Sequence, residues 1–244
     1  MKHPILISTI VASVGIVLAA FFLGSAFKNR NQNSSISVTG LGTKDFVSDL
    51  IVWNGIFSKK SVELKEAYAD LEKDRVKIKE YLLSKGFAEK EIVFSSVDID
   101  KQYDYISYDG GGSHRIFTGY QLTQTVTIES KDVQKVENLS RQITELINSG
   151  VELYSRTPSY YYTKLADLKI QMIADATKDA KKRAEEIANN AGGKLGKLKK
   201  ANLGVFQITA QNSADEDYSW GGTFNTSSKN KTANITIRLD YDVK

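Results

Sequence analysis

The stretch Thr163–Gly193, TKLADLKIQMIADATKDAKKRAEEIANNAGG, decides how this chain folds. Leu165, Leu168, Met172, Ala176, Ala180, Ala184, Ile187 and Ala191 recur at helical spacing, and Gly192-Gly193 follows. The spacing predicts one amphipathic helix over 163–190, stopped by the glycine pair. Alanines at four-residue steps leave a shallow face, so a neighbouring backbone can come close. This helix is therefore expected to lie tightly on a sheet or another helix. Its other face carries Lys178, Lys181, Lys182 and Glu185, with Asp179 and Arg183 spaced as an i,i+4 pair.

Outward from that helix the pattern turns to strands. Ala233, Ile235, Ile237, Leu239 and Tyr241 alternate as the inward face of a closing strand, and Leu203 to Ala210 reads as another. Between them, Gln211 to Lys231 reads as a long polar loop. Towards the N-terminus, Ile36 to Thr39 alternates as a short strand ended by Gly40 and Gly42, and Val47 to Phe57 reads as a central strand. Leu64, Tyr68, Leu71, Ile78 and Leu82 mark a helix, interrupted by Arg75 and closed by Gly86. Ile92 to Ile106 returns to alternation, with Val93, Ser95, Val97 and Ile99 on one face. In Tyr120 to Ile128, Tyr120, Leu122, Val126 and Ile128 face one way and threonines the other. Asp132 is placed to cap a helix carrying Val133, Val136, Leu139, Ile143 and Ile147, which Gly150 ends; Val151 to Tyr160 follows as a strand. Strand–helix–strand thus occurs twice, at about 47–106 and 118–160. The fold class expected is α+β with a mixed or antiparallel sheet.

Ile5 to Phe27 is 23 residues without a charge. As a helix it would be about 34 Å long, enough to cross a bilayer core. Either it is an uncleaved anchor, which its length favours, or a cleaved signal peptide with Gly24-Ser25-Ala26 at the cut. Residues 1–34 form this segment and a tether; 35–244 form the body, placed outside the cytoplasm in the periplasm or cell envelope.

Composition narrows function. The chain has no cysteine, which excludes disulfides, thiolate nucleophiles and Cys-ligated metals. A net charge of +4 is too modest to indicate nucleic acid. Gly110-Gly111-Gly112 leads through Ser113-His114-Arg115 into a strand, so it lacks the helix entry a phosphate loop needs. Asp98, Asp100, Asp104 and Asp109 line a strand without cation-loop spacing, and His114 alone is a weak base; Asp215-Glu216-Asp217 reads as a solvated loop. No catalytic, cofactor or metal site is expected. Lys194, Lys197, Lys199 and Lys200 form a basic run without acidic neighbours in sequence, a candidate contact for anionic lipid or a cell-wall polyanion. Tyr103, Tyr105 and Tyr108, the run Tyr160, Tyr161, Tyr162, and Trp220 are candidate protein-contact aromatics.

Four stretches carry a likeness: Ser35-Ile36-Ser37-Val38-Thr39-Gly40; Leu82 to Phe87 with Glu91-Ile92; Phe117-Thr118-Gly119-Tyr120 into Val126-Thr127-Ile128; and the Ala-rich helix into Ala191-Gly192-Gly193-Lys194-Leu195-Gly196. In order and spacing they resemble the SIMPL-domain family of bacterial envelope proteins, which takes in periplasmic immunogens and oxidative-stress-defence relatives. The resemblance implies a mixed α+β body, export and self-association, and it brings no catalytic residues. The function expected is a non-enzymatic, self-associating envelope protein supporting envelope integrity or stress tolerance, with a partner in the envelope. The alternative is a binding module for anionic lipid or cell-wall polymer through the basic run.

Overall fold

The structure is a computed structural model that describes residues 13–25, 35–107, 113–213 and 219–244. Two helix-on-sheet layers make up the body, and the chain enters the first, builds the second, and returns. The mixed α+β expectation holds.

The first layer centres on its last strand. β1 (Ser35–Val47) and β11 (Asn230–Val243) pair antiparallel along their whole length. On the other side of β11 lie β8 (Leu195–Leu203) and β9 (Gln207–Ala210), and β10 (Thr223–Phe224) adds parallel to β9. Helix α4 (Leu165–Asn190) crosses one face, over β1 and β11. It buries Leu168, Met172, Ala176, Ala180, Ala184 and Ala188 against Val38, Ile235, Ile237 and Leu239. The buried stripe keeps a strict four-residue step, so Ala188 turns inward where Ile187 was expected, and Ile187 is half exposed.

Gly40 and Gly42 do not end β1, which runs through both. A Cβ on Gly40 would lie 2.1 Å from the Ala176 carbonyl oxygen, and one on Gly42 would lie 2.5 Å from that of Met172. These glycines are the sheet's half of the close approach that the alanines allow, so a mark of termination in sequence is a mark of contact in space.

The second layer is contiguous in sequence. β2 (Leu50–Ser61), helix α2 (Leu64–Ser84), β3 (Ile92–Phe94), β4 (Asp98–Ser107), β5 (Ser113–Ser130), helix α3 (Val133–Gln142), β6 (Leu153–Ser155) and β7 (Ser159–Tyr161) form it. β2 and β5 pair antiparallel at the centre, with β3 and β4 beyond β5 and β6 and β7 beyond β2. β2 and β4 thus run parallel with β5 between them. The two expected strand–helix–strand units interleave in one sheet as a split βαβ pair.

Here the packing is by large side chains. Trp53, Phe57, Ile51, Leu122, Val126 and Ile128 meet Leu71, Ile78, Leu82, Val136 and Leu139. Asp132 caps α3, accepting the Lys135 N–H at 3.1 Å, and Gly150 takes a positive φ after the short 3-10 turn that follows. The reading of Val93 and Ile99 needs correction. Val97 packs on the core with Ile92 and Phe94 while Val93 and Ile99 are exposed, so Val93, Ser95, Val97 and Ile99 do not share one face, because the chain breaks step between β3 and β4.

Of the apolar N-terminal run, residues 13–25 are helical (α1) with exposed side chains; residues 5–12 and 26–27 lie outside the described residues. Among the described residues, no helix is long and apolar enough to cross a membrane.

Candidate functional site

Only part of β5 belongs to the central sheet. β2 pairs with it from Tyr120 to Ser130, whereas β4 pairs with it from Thr123 back to Ser113. Residues 103–107 and 113–117 therefore stand beyond the sheet as a two-stranded ribbon. It leaves at Gly119, whose positive φ of 137° and closeness to the Ser61 backbone suit only glycine, and at a register shift after Gln102. On one face Tyr103 stacks edge-on against Phe117, and Phe117 against Tyr120, at 5.6 and 5.1 Å between ring centres. The Arg115 guanidinium lies 3.5 Å from the centre of the Tyr103 ring. Tyr105, Ile106, Ile116 and Phe117 are exposed. At the root of the ribbon Leu64, Tyr68 and Ile99 line an open hollow of about 470 Å³, with exposed Val62 close by in sequence. Tyr108, Asp109 and the triglycine lie outside the described residues.

The tyrosine run behaves differently. Tyr160 packs on the second layer's core and donates its hydroxyl to Glu137 at 3.2 Å; Tyr162 packs on the first layer's core, 4.9 Å from Phe46; Tyr161 pairs with Leu50. Half-buried, the three form the joint between layers. Lys231 completes it. Only 1% exposed, its ammonium donates to Ser48 Oγ at 2.8 Å, to the Tyr160 carbonyl at 3.1 Å, and to the Ser228 carbonyl. Asp49 accepts the Thr163 N–H and hydroxyl, each at 2.7 Å. Burial alone would raise its pKa, but those bonds hold it below the usual aspartate value. In sequence a lysine such as Lys231 reads as surface. Its parity with Ala233 and Ile235 was the available signal.

The basic run is a strand. Lys197, Lys199 and Lys200 lie exposed on edge strand β8, and Lys194 exposed just before it. Without acidic neighbours in sequence, the run meets them across the strands: Lys199 pairs with Asp242 and Lys200 lies across from Asp240. Lysines on an edge strand discourage addition of foreign strands. Trp220 is wholly exposed, in a turn before β10.

A family comparison matches residues 36–238 to SIMPL, described as "Protein of unknown function (DUF541)". The chain belongs to the SIMPL family. That match begins within β1 and ends within β11, so it spans both layers and the joint. No curated protein matches the chain.

For chemistry, this SIMPL chain offers scattered groups. Asp98, Asp100 and Asp104 are exposed along β4, and His114 is exposed on the ribbon. Among the described residues no three His, Cys, Asp or Glu side chains gather as a metal site. Asp215-Glu216-Asp217 lies outside the described residues. Asp74, nearly buried on α2, forms an ion pair with Lys59 at 2.9 Å, without the alignment of a hydrogen bond.

Proposed function

We propose that this SIMPL protein is a non-enzymatic, self-associating component of the cell envelope, tethered through residues 5–27 with its body outside the cytoplasm, where it supports envelope integrity or stress tolerance. One observation carries the self-association: an isolated two-stranded ribbon is marginal in water, yet this one projects with Tyr105, Ile106, Ile116 and Phe117 uncovered. The hollow at its root, floored by Leu64, Tyr68, Ile99 and Leu122 with Glu63 and Lys65 also lining it, supplies a seat for the ribbon of another copy. The export reading is supported by the uncharged run 5–27 and by the exposed apolar side chains of α1.

The test is the native mass of the full chain extracted in mild detergent, compared with a Tyr105→Ser, Phe117→Ser double variant. The parent is expected as an oligomer and the variant as a smaller species that keeps the parent's far-UV circular dichroism. A parent that stays strictly monomeric at high concentration refutes the proposal. The alternative, polyanion binding, has less support now that Asp240 and Asp242 flank the lysines; Lys194 and Lys197 remain its best contacts. Salt-sensitive binding to anionic vesicles, lost on charge reversal at those two positions, would restore it.

A further inference from the structure

Trp220 is the most exposed large apolar side chain among the described residues, with its full surface in solvent. It is also rigidly presented. The turn from Ser219 to Gly222 is closed by the Gly222 N–H donating to the Ser219 carbonyl at 3.0 Å. Gln207, buried to 2% exposure, spends its amide on that same residue: Nε2 donates to the Ser219 carbonyl at 2.7 Å, and Oε1 accepts the Ser219 N–H at 3.5 Å. A buried amide is costly unless satisfied, and here its partners are the backbone that holds an exposed indole out. Gly222 has a φ of 91°, and a Cβ there would lie 2.8 Å from the Phe206 carbonyl; a Cβ on Gly204 would lie 2.6 Å from Thr236 Oγ1. The two loops and β11 are seated against one another with no slack, so the platform is built before any ligand arrives.

Beside the indole is a cleft of about 380 Å³, lined by Gly204, Val205, Gln207, Ser219, Trp220 and Thr236. None of these side chains ionises. On the other side of the Gly204–Val205 ridge is a second cleft of about 360 Å³, walled by Phe206, Gly222 and Phe224 with Lys169 at one side. Lys169 lies over the Phe206 ring at 5.3 Å.

From this geometry we propose that the loops carrying Trp220 bind a neutral glycan chain, one sugar ring stacking on the indole and the next lying beyond the ridge. The negative π face of an indole attracts the weakly positive C–H face of a pyranose. Hydroxyls of Ser219 and Thr236 offer donors and acceptors to the sugar's polar edge. Among the described residues the first cleft carries no charged side chain, which disfavours phosphate or carboxylate ligands, and two clefts sharing one ridge suit a polymer better than a single small molecule. This site is remote in sequence from the ribbon and stands independently of the self-association proposal.

The test uses the full chain, titrated with chitohexaose and with cellohexaose while tryptophan emission is followed. Trp53, the other tryptophan, is wholly buried, so the red edge of the spectrum reports Trp220. A saturable blue shift, insensitive to salt, is expected with at least one of the two sugars. For the variants, which lack the reporting indole, titration calorimetry with the same sugars gives the affinity: Trp220→Phe keeps a flat ring and should retain part of it, whereas Trp220→Ala should lose about tenfold or more with an unchanged melting temperature. Unchanged emission with both oligosaccharides at millimolar concentration, or equal binding by Trp220→Ala, overturns the proposal.

Discussion

The two layers of this molecule bury their helices by opposite means. In the first, α4 presents alanines to the glycines of β1, and the fit comes from atoms that are missing. In the second, α2 and α3 meet Trp53, Phe57 and a set of leucines and isoleucines, and the fit comes from filled volume. The chain order differs too. The second layer is built from residues 50–161 in one passage, while the first joins β1 to β11 across nearly the whole sequence. A helix held by small residues tolerates no addition; one held by large residues tolerates no removal. The same fold class therefore contains two unlike sensitivities to substitution.

The contrast is most directly broken by exchanging the insult. Trp53→Ala should cost about 3–5 kcal/mol, since the indole is wholly buried and its N–H donates to Ser155 Oγ at 2.9 Å. Gly40→Val adds atoms where none fit, and should cost about 3 kcal/mol. Chemical denaturation gives both sizes, and amide exchange should locate the first loss around β2 and α3 and the second around β1 and α4. If Gly40→Val melted like the parent, the close helix–strand approach would be wrong.

Lys231 sharpens the comparison, because it belongs to neither kind of packing. Replacing it by Met keeps the bulk but strands Ser48 Oγ and the carbonyls of Tyr160 and Ser228. The expected loss is about 1–3 kcal/mol. It should fall on the coupling between layers, so that one calorimetric transition separates into two. A single transition at an unchanged temperature would mean the layers are joined elsewhere, through Asp49–Thr163 or Lys229–Glu137.

These sensitivities explain which parts of the fold were legible in the sequence. Alternation from Ala233 to Tyr241 and the alanine stripe of α4 each report one face of one element, and local periodicity encodes that. The cap at Asp132 is equally local. Gly40 was misread because glycine signals either a turn or a close neighbour, and only the neighbour, 136 residues on at Ala176, decides which. β8 was misread as a charged run because edge-strand lysines look like any wet surface; Asp240 and Asp242 join them only through strand pairing. Of the candidate aromatics, Trp220 and Tyr105 are exposed as a contact role requires, whereas Tyr160 and Tyr162 are held by the two cores. Three adjacent tyrosines cannot say from sequence which of them face inward.

The smallest effect expected separates the layers by pH. Asp179 on α4 accepts the Leu41 N–H of β1 at 3.0 Å and also pairs with Arg183 at 2.9 Å. That N–H, aided by Arg183, holds its carboxyl below the ordinary value of 3.8 against the opposing pull of burial. Because the native pKa is the lower one, the stabilisation is complete above the ordinary value and is lost as pH falls through the native value. The second layer's counterpart, Asp74 with Lys59, is nearly buried and joins side chain to side chain, not helix to strand backbone. Asp179→Asn should therefore cost about 0.5 kcal/mol near neutrality, since the pair is largely solvated. The deficit should vanish in acid, where the parent carboxyl is protonated as well. Exchange at the Leu41 amide reads this directly: faster in the variant at neutral pH, equal in both at low pH. A deficit that persisted in acid would assign the effect to shape, and the first layer would then hold its outer edge as it holds its core, by fit alone.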